Sequence, residues 1–161
     1  MKKVIMLILV LSVSLALFAE NVTIVYLDRT EVNLEGGSFI KKEAKRTKVP
    51  HKFVYAYGFQ ALKGSEKIIV ILNSGQSSGL DPRVENYISA SQNKDSLKVV
   101  NLNSIGKQTI LEFVSAVDSL FGVDEISAAT RWDSKKKNQY LVMHQDWTAE
   151  LFRLINEKLA L

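Results

Sequence analysis

Two short stretches hold the residues best placed to do chemistry. The first is Asp124-Glu125-Ile126-Ser127-Ala128-Ala129-Thr130, where two alanines separate two hydroxyl residues and an acid lies six positions before the last one. Near a chain reversal, Thr130 would have little side-chain bulk around it, as a transferase requires if it is to attach a group to a hydroxyl. The plainer reading is the start of a helix, with Asp124 or Ser127 as cap and Ala128 and Ala129 as good helix formers. The second stretch, Gly75-Gln76-Ser77-Ser78-Gly79, matches G-x-S-x-G, in which a strand delivers a nucleophilic serine into a sharp turn before a helix. With Ser77 as nucleophile, His144 would be the base and Asp118 or Asp124 the acid. Against a hydrolase stand the short chain and the lack of an alternating run of βα units. Two glycines and two serines after a strand also describe an ordinary turn.

The first stretch resembles the flavinylation motif Asp-x-x-Ser/Thr-Gly/Ser-Ala-Thr/Ser of the FMN-binding domain family. That family includes the periplasmic subunits of the Rnf and sodium-pumping NADH:quinone reductase complexes. Asp124, Ser127, Ala129 and Thr130 fall on the motif, and Ala128 stands where Gly or Ser is usual. The resemblance implies FMN joined to Thr130 by a phosphoester, a flavin transferase that makes the bond, and Asp124 and Ser127 as its recognition or positioning residues. Gln76 to Asp81 looks like a diverged copy of the family's Glu-Thr-Pro-Gly-Leu-Gly loop, matching at Gly79 and Leu80, and so implies Ser77, Ser78 and Gly79 along the flavin site. The resemblance covers roughly Phe53 to Thr130. Beyond it the chain departs from the family with Arg131-Trp132-Asp133-Ser134 and a run of lysines. A helix N-terminus at Ala129 or Thr130 would favour the phosphate. If the family's Gly marks a positive φ, Ala128 there costs about 1–2 kcal/mol.

The elements that must position these residues follow from periodicity. Asn21 to Leu27 reads as a strand that Glu31 to Leu34 continues, until Gly36-Gly37 breaks it. Lys41, Lys42, Lys45, Arg46 and Lys48, around Glu43, read as a solvated loop or strand face in preference to a polyanion site. Lys52 to Gln60 alternates, placing Phe53, Tyr55, Tyr57 and Phe59 in one stripe, either a core face or a stacking surface for a flat ring, with Gly58 permitting close approach. Lys67 to Leu72 is the strongest strand, and the two runs read as a β-hairpin around Lys63-Gly64-Ser65-Glu66. Asp81 caps a helix with Pro82 at its first position. Leu97 to Leu102 reads as a strand, Lys107 to Phe121 as an amphipathic helix, and Tyr140 to Met143 as a short strand. Trp147, Leu151, Leu154, Ile155 and Leu159 mark a last helix, with Asp146 as cap.

Length and composition set the frame. Met1-Lys2-Lys3, an apolar run from Val4 to Phe18 and a small Ala19 read as a secretory signal peptide, too short for the roughly 20 residues that span a bilayer. An uncleaved N-terminal anchor is the alternative. Removing 19 of 161 residues leaves 142, a single exported domain over 20–161. Without Lys2 and Lys3, 19 of the 21 basic residues face 17 acids, a balance that points to no nucleic-acid partner. The chain has no cysteine, so neither disulfides nor thiol catalysis enter. His51 and His144 have no second ligand at metal spacing. Strands cluster early and helices late, which predicts an α+β fold: a mainly antiparallel sheet of four to six strands with a central β-hairpin and three to four packed helices. The expected function is an exported FMN-binding domain that carries electrons to a membrane-associated or extracytoplasmic redox partner. The alternatives are a flavin-free binding or structural module of the same fold, and a serine hydrolase using Ser77.

Overall fold

The computed structural model describes residues 21–74, 80–104, 117–118, 122–133, 138–141 and 145–160. The chain order is β1 (Asn21–Tyr26), α1 (Glu31–Arg46), β2 (Lys52–Tyr57), β3 (Ile68–Ser74), α2 (Pro82–Ala90), β4 (Leu97–Ser104), β5 (Val117–Asp118), β6 (Asp124–Asp133), β7 (Asn138–Leu141) and α3 (Gln145–Leu159). One sheet runs β2-β1-β3-β4-β6, every neighbouring pair parallel. The short β5 and β7 pair antiparallel with β6. No helix among the described residues is long and apolar enough to cross a membrane.

The fold is therefore α/β and parallel, and the mainly antiparallel sheet is corrected. So is the central hairpin: β2 and β3 do not pair, but flank β1 on opposite sides, each parallel to it. A parallel sheet has helices on both faces, so its inner strands read as continuous apolar runs. β3 is the clearest case, with Ile68 to Asn73 all buried. Alternate residues divide between two cores. Val22, Ile24, Val70, Leu72, Val100, Ile126 and Ala128 pack under α1 and α3, with Phe39, Ile40, Trp147 and Leu151. Val25, Ile69, Ile71, Val99 and Val123 pack under α2, with Val84 and Ile88.

Helix α1 replaces the expected strand continuation at Glu31 to Leu34 and the loop at Lys41 to Lys48. Thr30 caps it, its hydroxyl accepting from the Asn33 N–H. The buried positions Gly36, Gly37, Phe39, Ile40, Glu43 and Ala44 keep helical spacing. The two glycines sit where apolar residues would otherwise have shown the period, so the sequence reads as broken. Gly37 is a contact residue: a Cβ there would lie 1.8 Å from the Tyr26 hydroxyl oxygen. Its carbonyl also accepts from Tyr55 Oη at 3.1 Å. Asp81 and Pro82 cap and start α2 as expected. α3 buries Trp147, Leu151, Leu154 and Ile155 as expected, but it begins at Gln145, placing Asp146 inside the helix. Val117–Asp118 is a strand, not the end of a helix, and the rest of the expected helix over 107–121 lies outside the described residues. The Met1–Ala19 signal segment also lies outside them.

Gly37→Ala tests the seam. Helix propensity alone favours alanine by about 1 kcal/mol, whereas overpacking against Tyr26 costs about 1–3 kcal/mol. We expect net destabilisation in urea titrations, with the exposed Ser38→Ala close to neutral; a more stable Gly37→Ala protein would show that α1 does not depend on this approach.

Candidate functional site

Strand order fixes where a site can form. The chain leaves β1 through α1 on one face and leaves β3 through α2 on the other, so the segments following these two strands diverge. Open α/β sheets bind ligands at such a point, outside the carboxyl ends of the strands. A crevice of about 460 Å³ lies there, within the range of small-ligand sites. Leu27, Asp28 and Arg29 line it from the segment after β1, Tyr57 to Gln60 from the end of β2, and Arg83 from the first turn of α2.

Its walls are aromatic and cationic. The Arg29 guanidinium lies 4.5 Å from the centre of the Tyr57 ring, which stacks on Tyr26 with centroids 5.5 Å apart. Burial, then the neighbouring Tyr55, pushes the Tyr26 hydroxyl well above the usual phenol range, so it stays a neutral donor. Gly58 has φ 77° and abuts the Gln60 amide, and that amide donates to the Tyr57 carbonyl at 3.2 Å. A side chain at 58 would be strained by its backbone and would meet Gln60. Phe59 leaves the strand and stacks on Tyr87 of α2 at 4.0 Å, the two rings nearly parallel. The expected aromatic stripe is thus split: Phe53, Tyr55 and Tyr57 share the α1 side, and Phe59 joins the opposite core.

Arg83 ties the two walls together. It forks onto Asp28 at 3.1 and 2.8 Å and onto Asp81 at 2.9 and 2.7 Å. Asp81 Oδ1 also accepts the Arg83 backbone N–H at 2.8 Å as the helix cap. Hydrogen bonds from Arg83 hold both carboxyls below the usual carboxylate range. Behind this clamp a polar ladder crosses the sheet: the Asp81 N–H donates to Asn73 Oδ1 at 3.0 Å, Asn73 Nδ2 to Asn101 Oδ1 at 2.7 Å, and Asn101 Nδ2 to Glu125 Oε2 at 3.2 Å. The ladder anchors the segment entering α2 to β3, β4 and β6.

The sequence-nominated residues lie elsewhere. Asp124 to Thr130 is neither a turn nor the start of a helix; it forms most of β6, in register with Lys98 to Ser104 of β4. Asp124 and Thr130 are six residues apart on an extended strand, roughly 20 Å. Asp124 has a structural partner, Lys98, whose Nζ is 2.5 Å away and whose side chain is nearly fully buried. Ala128 is 1% exposed in the core under α1 and α3. Lys48 is the one non-glycine at positive φ among the described residues, so Ala128 carries no such strain. Ser127, Ala129 and Thr130 follow β6 toward the carboxyl edge, where Thr130 is level with Ser104 and Leu141. Ser77, Ser78, Gly79 and His144 lie outside the described residues. The structure does supply the strand–helix context around Ser77 and the parallel sheet that the sequence reading lacked. Among the described residues no cluster of three or more His, Asp or Glu could hold a metal ion.

Comparison with protein families, curated proteins and solved structures returns no match. The sequence had flagged Gly58 and the ring of Tyr57, but not Asp28, Arg29 or Arg83. These three gain meaning only once β1 is known to lie between β2 and β3.

Two measurements follow. Asp28 and Asp81 titrate lower in the folded state, so their pairing with Arg83 contributes stability that is present above the unfolded pKa of about 4 and lost as pH falls through the lower folded values. Both Arg83 and Asp28 are half exposed, so Asp28→Asn should cost only about 0.5–1 kcal/mol from pH 5 to 8. That difference should shrink in thermal melts as pH falls below about 4. Asp124→Ala leaves buried Lys98 without its carboxylate and should cost about 2–3 kcal/mol. Adding Lys98→Met should restore most of that loss; an Asp124→Ala protein as stable as the parent would remove the structural account of this acid.

Proposed function

We propose that the chain is a ligand-binding α/β domain whose site is the crevice over the carboxyl ends of β1 and β2. The observation that carries this reading is the crevice itself, beside the topological switch point and built from aromatic surface, two guanidinium groups and the Gln60 amide. The chemistry suits a small flat ligand with a polar or anionic end: a ring can lie against Tyr57, Gly58 lets it approach the backbone, and Arg29 can leave the Tyr57 face to pair with an anion. Arg83 is held by two carboxylates, so its part is to shape the wall.

FMN is the first ligand to test. Doubly wound sheets with the order found here include FMN binders that use this same switch point, an analogy of fold alone. Covalent attachment through Thr130, with electron transfer outside the cytoplasmic membrane, is a second reading. It is favoured by the motif and by the level of Thr130, at the same edge of the sheet as the crevice. Its extended geometry differs from the chain reversal expected around Thr130 from the sequence.

Protein purified from native cells, then mixed with FMN under denaturing and native conditions, separates these readings. The crevice reading predicts an unmodified intact mass and reversible quenching of added flavin, weakened about tenfold or more by Tyr57→Ala. A mass increment matching FMN on the Thr130 peptide would support the second reading. No flavin bound in either form would leave the crevice to another flat ligand.

A further inference from the structure

We propose that the outer edge of β2 docks an extended acidic peptide, which adds a strand to the sheet and lays alternate carboxylates along the cations beside it. Among the described residues β2 is the end strand of the sheet. The Gly58 N–H donates to the Tyr26 carbonyl at 2.8 Å across the β1–β2 ladder. Alternate residues of a parallel strand address opposite neighbours, so the even-numbered residues of β2 serve β1, and Phe53, Tyr55 and Tyr57 turn their N–H and C=O groups outward. Gln60 occupies the Tyr57 carbonyl. The remaining outward groups form a row that an added strand can complete. Natural edges are blunted by proline, bulges or charge. Lys52, the first residue of β2, is its one charged position, and the strand holds no proline.

The flank of this edge selects the partner. Tyr55 is 37% exposed, Tyr57 44% and Leu34 40%, the large apolar side chains most open to solvent among the described residues. Two are overlaid by cations: Lys41 lies 5.1 Å from the Tyr55 ring centre and Arg29 4.5 Å from that of Tyr57. Lys45 at the end of α1, Lys48 in the connection and Lys52 are exposed as well. Of the acids on this side, Glu43 is buried and bonded to Arg46 and Asp28 is bonded to Arg83, while Glu31 and Glu35 belong to the first turns of α1, before Lys41 and Lys45. The flank is therefore positive, which disfavours a second copy of the chain pairing through the same edge and favours a partner of opposite sign. In an added strand every second side chain falls on the α1 side of the sheet. Carboxylates there meet Lys41 and Arg29, while the residues between them lie beside Val54 and Ala56. This goes beyond the crevice reading and does not depend on it.

The test is fluorescence anisotropy of the full chain with an end-blocked, fluorescein-labelled peptide of five Glu-Val repeats. Two isomers, N-methylated on every Glu or on every Val, keep the charge but each lose one edge of hydrogen bonds. We expect the parent peptide to bind, one isomer to bind nearly as well, and the other to bind at least about tenfold more weakly. Lys41→Glu with Arg29→Glu should weaken the parent peptide by a similar factor, with the far-UV circular dichroism unchanged. No binding of the parent peptide at about 1 mM overturns the proposal. Equal binding by both isomers overturns it too, since that is the behaviour of an unspecific polyanion surface, and equal competition by a heparin octasaccharide would identify it as one.

Discussion

β1 is hydrogen-bonded in parallel to β2 on one side and to β3 on the other, and neither neighbour can be reached by a tight turn. Each parallel step needs a crossover that covers a face of the sheet. The first, through α1, moves outward to β2. The chain then passes back over β1 to β3, and the second crossover, through α2, moves the opposite way and covers the opposite face. Two cores follow, with residues of β1, β2, β3 and β4 divided between them. The crevice follows as well, because segments leaving for opposite faces cannot close over the strand between them.

The close approach of α1 makes this arrangement specific. Tyr26 ends β1 with its hydroxyl against Gly37, and Tyr55 donates to the carbonyl of the same glycine. One glycine thereby fixes the height of α1 above β1 and orients two of the three tyrosines near the crevice. The third, Tyr57, stacks on Tyr26 and takes Arg29 over its face. Packing inside the core and the chemistry of the crevice wall thus share the ring of Tyr26. Arg83 does the corresponding work on the other side, joining the cap of α2 to the segment that follows β1.

Individual elements were legible in the sequence where one local signal dominated. The β-branched runs of β1 and β3, the Asp81-Pro82 start of α2 and the apolar face of α3 are such cases. Pairing was not legible, because a strand carries no local mark of its partner. A run of alternating aromatics, a Gly-Ser turn and a second apolar run describe a hairpin as well as they describe two strands on either side of a third. α1 was missed for a more specific reason: glycines at its core-facing positions removed the apolar period that would have revealed it. The site was half legible. Tyr57 and Gly58 announce a surface that something flat can approach, but Asp28, Arg29 and Arg83 are ordinary charges until the fold brings them to one crevice.

The Asp124–Thr130 stretch shows how residues suited to chemistry can also be explained by their place in a sheet. Its acid neutralises the lysine of the adjacent strand, and its Ala128 is a small residue in a core already occupied by Trp147 and Phe39. Its hydroxyls belong to a wider pattern. β3 ends in Asn73-Ser74, β4 carries Asn101, Asn103 and Ser104, and β6 carries Ser127 and Thr130, whereas β3 and β4 begin with buried Ile68 and Leu97. Small polar residues thus gather in the carboxyl halves of β3 and β4 and on β6 beside them, and Asn73, Asn101 and Glu125 form a hydrogen-bonded row that runs obliquely from that end toward the start of β6. Burying an amide is unfavourable unless it finds a partner, and buried Asn73 finds partners in the Asn101 side chain and the Asp81 N–H. The ladder thereby ties this end of β3 and β4 to the segment entering α2, at the same edge of the sheet as the crevice.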